Sequence, residues 1–148
     1  MKFTRVNLFP LFMNFLFHND WEIDEERANL YRKLNWTVGD IPLEDLGVWD
    51  RAQGLPHDYC TGSVVETANK LAEAPAGPVD KVMLLSSLPL DPTLDTIIIV
   101  DGSLRRGREN CEETKYTIDD GCMRALAYAI RGQRKIRAYI GKDLVGIG

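Results

Sequence analysis

The sequence predicts an α+β domain built around a small mixed sheet. Two observations lead there. Residues 96–100 read T-I-I-I-V, β-branched throughout, the composition of a strand buried on both faces. A return strand, a helix and a last strand follow it, whereas the earlier chain reads mainly as helices and loops. Such segregation is the pattern of α+β rather than of alternating α/β. A length of 148 residues is enough for one domain with its own core.

From the start of the chain, Leu8, Leu11, Phe12, Phe15 and Leu16 fall at helical spacing, with Pro10 placing the helix start near it. Asn7, Pro10 and Asn14 interrupt the apolar run, and the acidic W-E-I-D-E-E follows it. Both features argue against a signal peptide, and the run is too short to span a bilayer. The aromatic residues Phe9, Phe12, Phe15 and Phe17 either complete the core or offer residues 8–17 to a protein partner or a second copy. Asp24 caps a predicted helix over 25–35, with Glu25 and Glu26 complementing its dipole and Leu30, Tyr31 and Leu34 as its buried stripe. Residues 1–35 thus read as a helical extension packed on a core formed by residues 36–148.

Trp36-Thr37-Val38 reads as a short extended piece and Gly39-Asp40 as a turn. Pro42 either opens a helical turn or bars a central strand. Residues 47–60 read as a loop. Ser63 and Glu66 form a capping box that predicts a helix over 64–74, with Val64, Ala68 and Leu71 as its stripe. Residues 81–86 are apolar, and periodicity leaves strand and helix equally open. After the strand at 96–100, residues 103–115 are polar and read as a loop or long hairpin end. Residues 116–119 return as a strand. A helix over 122–131 follows, closed by Gly132 at a left-handed cap, and 136–140 alternates as the final strand.

Net charge is −4, with −7 over residues 1–100 and +3 over residues 101–148. The total disfavours tight nucleic-acid binding, while R-R-G-R and R-G-Q-R-K-I-R keep weak binding to a phosphate backbone open. Three cysteines, Cys60, Cys111 and Cys122, in an odd and sparse set suit a reducing compartment. The expected location is cytoplasmic. Their spacing, with His18 and His57, matches no zinc motif.

The densest chemistry lies at D-D-G-C-M-R, where a strand turns into a helix. The first turn of a helix leaves backbone N–H groups without internal partners, and the dipole adds partial positive charge. Such a corner takes phosphate. Gly121 permits close approach of a ligand to the backbone, and the Arg124 fork can reach phosphate oxygens. Cys122 would feel the same dipole, which favours its thiolate. Asp119 or Asp120 could hold a metal, and Asp120 could act as a base. Each residue also has a plainer reading: a turn for Asp-Gly, a packed thiol for Cys122, an ion-pair partner for Arg124.

The run from I-I-I-V-D-G through Y-T-I-D-D-G-C-M-R-A-L-A-Y-A-I-R to K-I-R-A-Y-I-G resembles the core of the ParB/sulfiredoxin superfamily. Gly121, Cys122 and Arg124 match the Gly-Cys-His-Arg box of sulfiredoxins. The corner is also similar to the Gly-Glu-Arg-Arg box of ParB and the Asp-Gly-His-His-Arg box of archaeal free-serine kinases. Met123 stands where the sulfiredoxins and the kinases carry His, Asp119-Asp120 replaces a Phe-Gly pair, and residues 1–36 match no part of the pattern. The resemblance implies a ParB/sulfiredoxin-like sheet flanked by helices. It also implies a nucleotide (ATP, ADP or CTP), with Mg2+ near Asp119 and Asp120 when nucleotide is bound. Its phosphates would sit on Gly121, Cys122 and Met123, clamped by Arg124 and covered by Arg105, Arg106 and Arg108. Cys122 is then the nucleophile of a sulfiredoxin-like reaction, or Asp120 the base of a phosphotransfer. A module that binds nucleotide or nucleic acid without turnover, or an interaction protein using the aromatic N-terminus, is the alternative.

Overall fold

A computed structural model of the protein describes residues 4–48, 63–73, 89–101 and 114–143. The segment 81–86, the polar segment up to residue 113 with Arg105, Arg106 and Arg108, and Cys60, Cys111 and His57 lie outside them. The described elements run β1 (Thr4–Arg5), α1 (Leu8–His18), α2 (Glu25–Lys33), β2 (Leu34–Pro42), a single 3-10 turn (Leu43–Asp45) and β3 (Leu46–Gly47). They continue with α3 (Val64–Glu73), β4 (Ile97–Asp101), β5 (Tyr116–Asp120), α4 (Cys122–Ile130) and β6 (Lys135–Asp143).

Six strands form one mixed sheet in the order β1-β2-β6-β4-β5-β3. The central pair, β4 and β6, is parallel, and each is flanked by an antiparallel neighbour. The fold is α+β with helices on both faces. Ile97 and Ile99 of β4 face α3 and α4, whereas Ile98 and Val100 face α1 and α2. The three isoleucines are fully buried, which accounts for the β-branched run. Each contributes roughly 1.5–3 kcal/mol of burial.

Local signals place the helices. Asp24 accepts a hydrogen bond from Arg27 N at 2.6 Å and starts α2. Ser63 Oγ accepts from Glu66 N at 3.3 Å and starts α3, whose Val64, Ala68 and Leu71 are all buried. Pro10 sits in the first turn of α1, where its missing N–H costs nothing. Gly132 takes φ 79° just past α4.

β2 departs from expectation. It runs nine residues, not three, and Gly39-Asp40 is strand rather than turn. The cause is non-local: β2 pairs with β6 along its whole length, Gly39 opposite Ala138 and Asp40 opposite Arg137. Nine ladder positions outweigh the turn preference of two residues. Pro42 ends the strand and leads into the 3-10 turn.

The α1/α2 face holds an aromatic cluster centred on Tyr31. Phe12, Phe15 and Trp36 each meet its ring edge-to-face, with centroids 5.8, 5.9 and 5.2 Å away. Trp36 is locked by donating Nε1–H to Tyr31 O at 2.8 Å. Its ring covers Gly141, where an added Cβ would lie 2.7 Å from Cη2 and 2.9 Å from Cζ3. Since Trp36 cannot retreat without breaking its bond and ring contacts, Gly141→Ala is expected to lower stability by about 1–3 kcal/mol. Urea unfolding should show a lower midpoint at unchanged slope, with a shifted tryptophan emission in the native baseline.

Candidate functional site

β4 and β5 pair antiparallel, with Ile98 opposite Asp120 and Ile99 opposite Ile118. Asp119 is therefore the extra residue of a bulge, a device that re-aims side chains at the end of a strand. Asp119 turns to the α2 face, where its Oδ2 accepts from the Tyr31 hydroxyl. Arg27 Nε lies 3.0 Å from the same oxygen, an ion contact whose N–H points off the line. Burial, then Asp119, holds the Tyr31 phenol well above its ordinary pKa, so it stays a donor.

Asp120 bridges the two sides. Its Oδ2 takes Arg124 Nη2 at 2.9 Å and its Oδ1 takes Asn19 Nδ2 at 3.2 Å. Arg124 also donates Nη1 to the Thr96 carbonyl at 2.6 Å. The guanidinium is buried, 9 % exposed, and aimed back into the protein at the entrance of β4. Burial lowers its pKa, and Asp120 opposes that shift.

Gly121 joins β5 to α4 at φ 109°, ψ 23°, the left-handed region. A Cβ there would sit 2.4 Å from Ile97 Cγ2 and 3.0 Å from Arg124 Nη2. Conformation and space both demand glycine. Glycine has no side chain to cap the turn, and the first intrahelical bond closes only at Ala125 N to Gly121 O, 3.0 Å. The opening amides of α4 thus precede the ladder, at a turn where Gly121, Cys122 and Met123 are half-buried. Cys122 and Met123 pack against the edge of the α3/α4 core.

A ring of second contacts steadies this corner. Asn14 Nδ2 donates to Thr96 O at 3.2 Å, and His18 Nε2 meets Leu94 O at 2.9 Å. Thr96 Oγ1 sits 2.9 and 2.8 Å from the carbonyls of Pro92 and Thr93 and accepts from Arg137. Tyr128 donates its hydroxyl to Asp95 at 2.7 Å, and burial with this bond raises its pKa. Burial, then the positive charge of Arg124, lowers the His18 pKa against the pull of Leu94 O, Asp120 and Asp95.

Of the residues singled out in the sequence, Gly121, Cys122 and Met123 form the open turn. Arg124 and Asp120 are paired behind it, and Asp119 faces α2. Sequence reasoning missed Asn14, His18, Asn19 and Tyr31. The signal was available: Asn14 and His18 stand four apart on an otherwise apolar helix. Among the described residues, no group of three or more His, Cys, Asp and Glu could hold a metal ion. No described helix is long and apolar enough to cross a membrane. A separate cleft of about 450 Å³ opens at the far end of α4, beside Leu43, Ala68 and Arg134.

Comparison with family models, with curated proteins and with solved structures finds no match.

Arg124→Met removes a buried cation and leaves Asp120 with Asn19 alone, so a loss of about 3 kcal/mol is expected. Chemical denaturation of this variant, and of Arg124→Met with Asp120→Asn, checks it: the double variant should lose less than the two singles added. The His18 pKa is lowered in the folded protein, so the unfolded chain binds that proton more readily. Stability is then full above the unfolded value of 6.5 and falls as pH drops through the lower folded value. Melting curves from pH 7 to pH 5 should fall more steeply for the wild type than for His18→Gln.

Proposed function

We propose that the turn at Gly121-Cys122-Met123 is a phosphate cradle and that the protein binds a nucleotide there, in the manner of the ParB/sulfiredoxin superfamily. The observation that carries this reading is the first turn of α4, which starts at a left-handed glycine on a buried and hydrogen-bonded base. Backbone amides at such a turn need no reorganisation to receive a phosphate.

Arg124 takes a different part from the clamp expected of it. Turned inward onto Thr96 and Asp120, it sets the angle of α4 and lends its charge from behind the cradle. Mg2+ enters on the nucleotide phosphates, because both neighbouring carboxylates already have protein partners. The same pairing disfavours Asp120 as a base. Cys122, at the first helical position, is the group best placed for chemistry on a bound nucleotide or its acceptor. ATP, ADP and CTP all offer the phosphates that the cradle needs.

Thermal melting with these nucleotides, with and without Mg2+, tests the reading. At about one hundred times Kd the gain is about 2.7 kcal/mol, which should raise Tm by about 5 °C or more. Met123→Glu places a carboxylate at the amide turn, where it suits the dipole and repels phosphate. This variant should stay folded and lose the rise. Cys122→Ser should keep the rise and lose any turnover. Flat melting curves with every nucleotide and with pyrophosphate would reject the cradle.

A further inference from the structure

α1 is apolar on two faces, which is unusual for a surface helix. Its polar side chains turn inward: Asn14 to Thr96 O, His18 to Leu94 O, and Asn19, at the C-terminal cap, to Phe15 O and Asp120. Leu11 and Phe15 are buried against the sheet, yet a second set of large apolar side chains turns outward. Phe9 is 73 % exposed, Phe17 54 %, with Met13 between them. The spacing is i, i+4, i+8, one stripe about 12 Å long. Trp21, just past the end of the helix, is 61 % exposed. The backbone there is unusual: Asp20 and Trp21 take φ 56° and 63°, both left-handed. A bulky residue in that region is a true outlier, and such strain persists where it serves a purpose. Here it carries a tryptophan out into solvent.

We propose that this stripe is a self-association surface, on which α1 of a second copy lies antiparallel across a two-fold axis. The proposal is independent of the phosphate cradle. Charge selects the occupant. Arg5 precedes the stripe, Asp20 and Glu22 follow it, and all three are exposed. α1 itself carries no charged residue other than His18 at its end. An antiparallel, isologous pairing sets Arg5 of each copy beside the acidic end of the other and brings no like charges together. An anionic lipid surface fits poorly, since Asp20, Glu22, Glu25 and Glu26 crowd one end and, among the described residues, no lysine lines the stripe. Four large side chains cover roughly 500 Å² per copy, below the roughly 800 Å² of stable complexes. The dimer is therefore one that dissociates on dilution.

Sedimentation equilibrium of the whole chain over a wide concentration range tests this. The expected result is a reversible monomer–dimer equilibrium. Phe17→Glu, with unchanged circular dichroism and melting, should be monomeric throughout. Arg5→Glu should weaken the dimer roughly tenfold, and adding Glu22→Arg should restore it. A wild type monomeric at every concentration, a dimer indifferent to Phe17→Glu, or a charge exchange that fails to restore pairing each overturns the proposal. So does a monomer that floats with phosphatidylcholine vesicles, which would assign the stripe to a lipid surface.

Discussion

One buried cation organises this molecule. The Arg124 guanidinium stands on α4, bonds the carbonyl that opens β4 and pairs with the carboxylate that closes β5. A charge taken out of water must be matched, so the three elements can meet in only one arrangement. Gly121 follows from this. With Nη2 3.0 Å from the place a Cβ would occupy, and Ile97 nearer still, the corner has room for no other residue. The arginine and the glycine are one device, and the openness of the helix turn is its by-product.

The N-terminal segment completes that device from the other face of the sheet. Asn14 and Asn19 reach Thr96 and Asp120, and Tyr31 with Arg27 holds Asp119. Asp119 serves the α2 side alone, while Asp120 is held from both sides, by Arg124 on α4 and by Asn19 just past α1. Each hydrogen bond contributes about 1 kcal/mol alone. Shared among α1, α2 and both strand ends, they act as a network in which each geometry supports the next. Such rigidity is what the proposed phosphate cradle would require, since its amides must already be aimed.

What the sequence made legible was local. The β-branched run of β4, the Asp24 cap, the Ser63–Glu66 box and the Gly132 stop each read directly from a few neighbouring residues. The corner itself was visible for the same reason, since a strand end, a glycine and a helix start stand side by side. What stayed hidden depended on partners far along the chain. Gly39-Asp40 carries a turn signature, and only β6 makes it strand. Arg124 has the same local surroundings whether it faces solvent or Thr96, twenty-eight positions earlier. Asn14 and His18 interrupt an apolar helix, but nothing in their vicinity says that the carbonyls just ahead of β4 need donors there.

The longest ladder in the sheet joins β2 to β6, segments about a hundred residues apart in the chain. A ribosome delivers the first of these well before the second, so the nascent chain carries Trp36, Tyr31 and the aromatic face of α1 without the strand that anchors them. Closure waits for the far end of the sheet, a topology of long-range pairing that slows folding and keeps that apolar surface uncovered for longer.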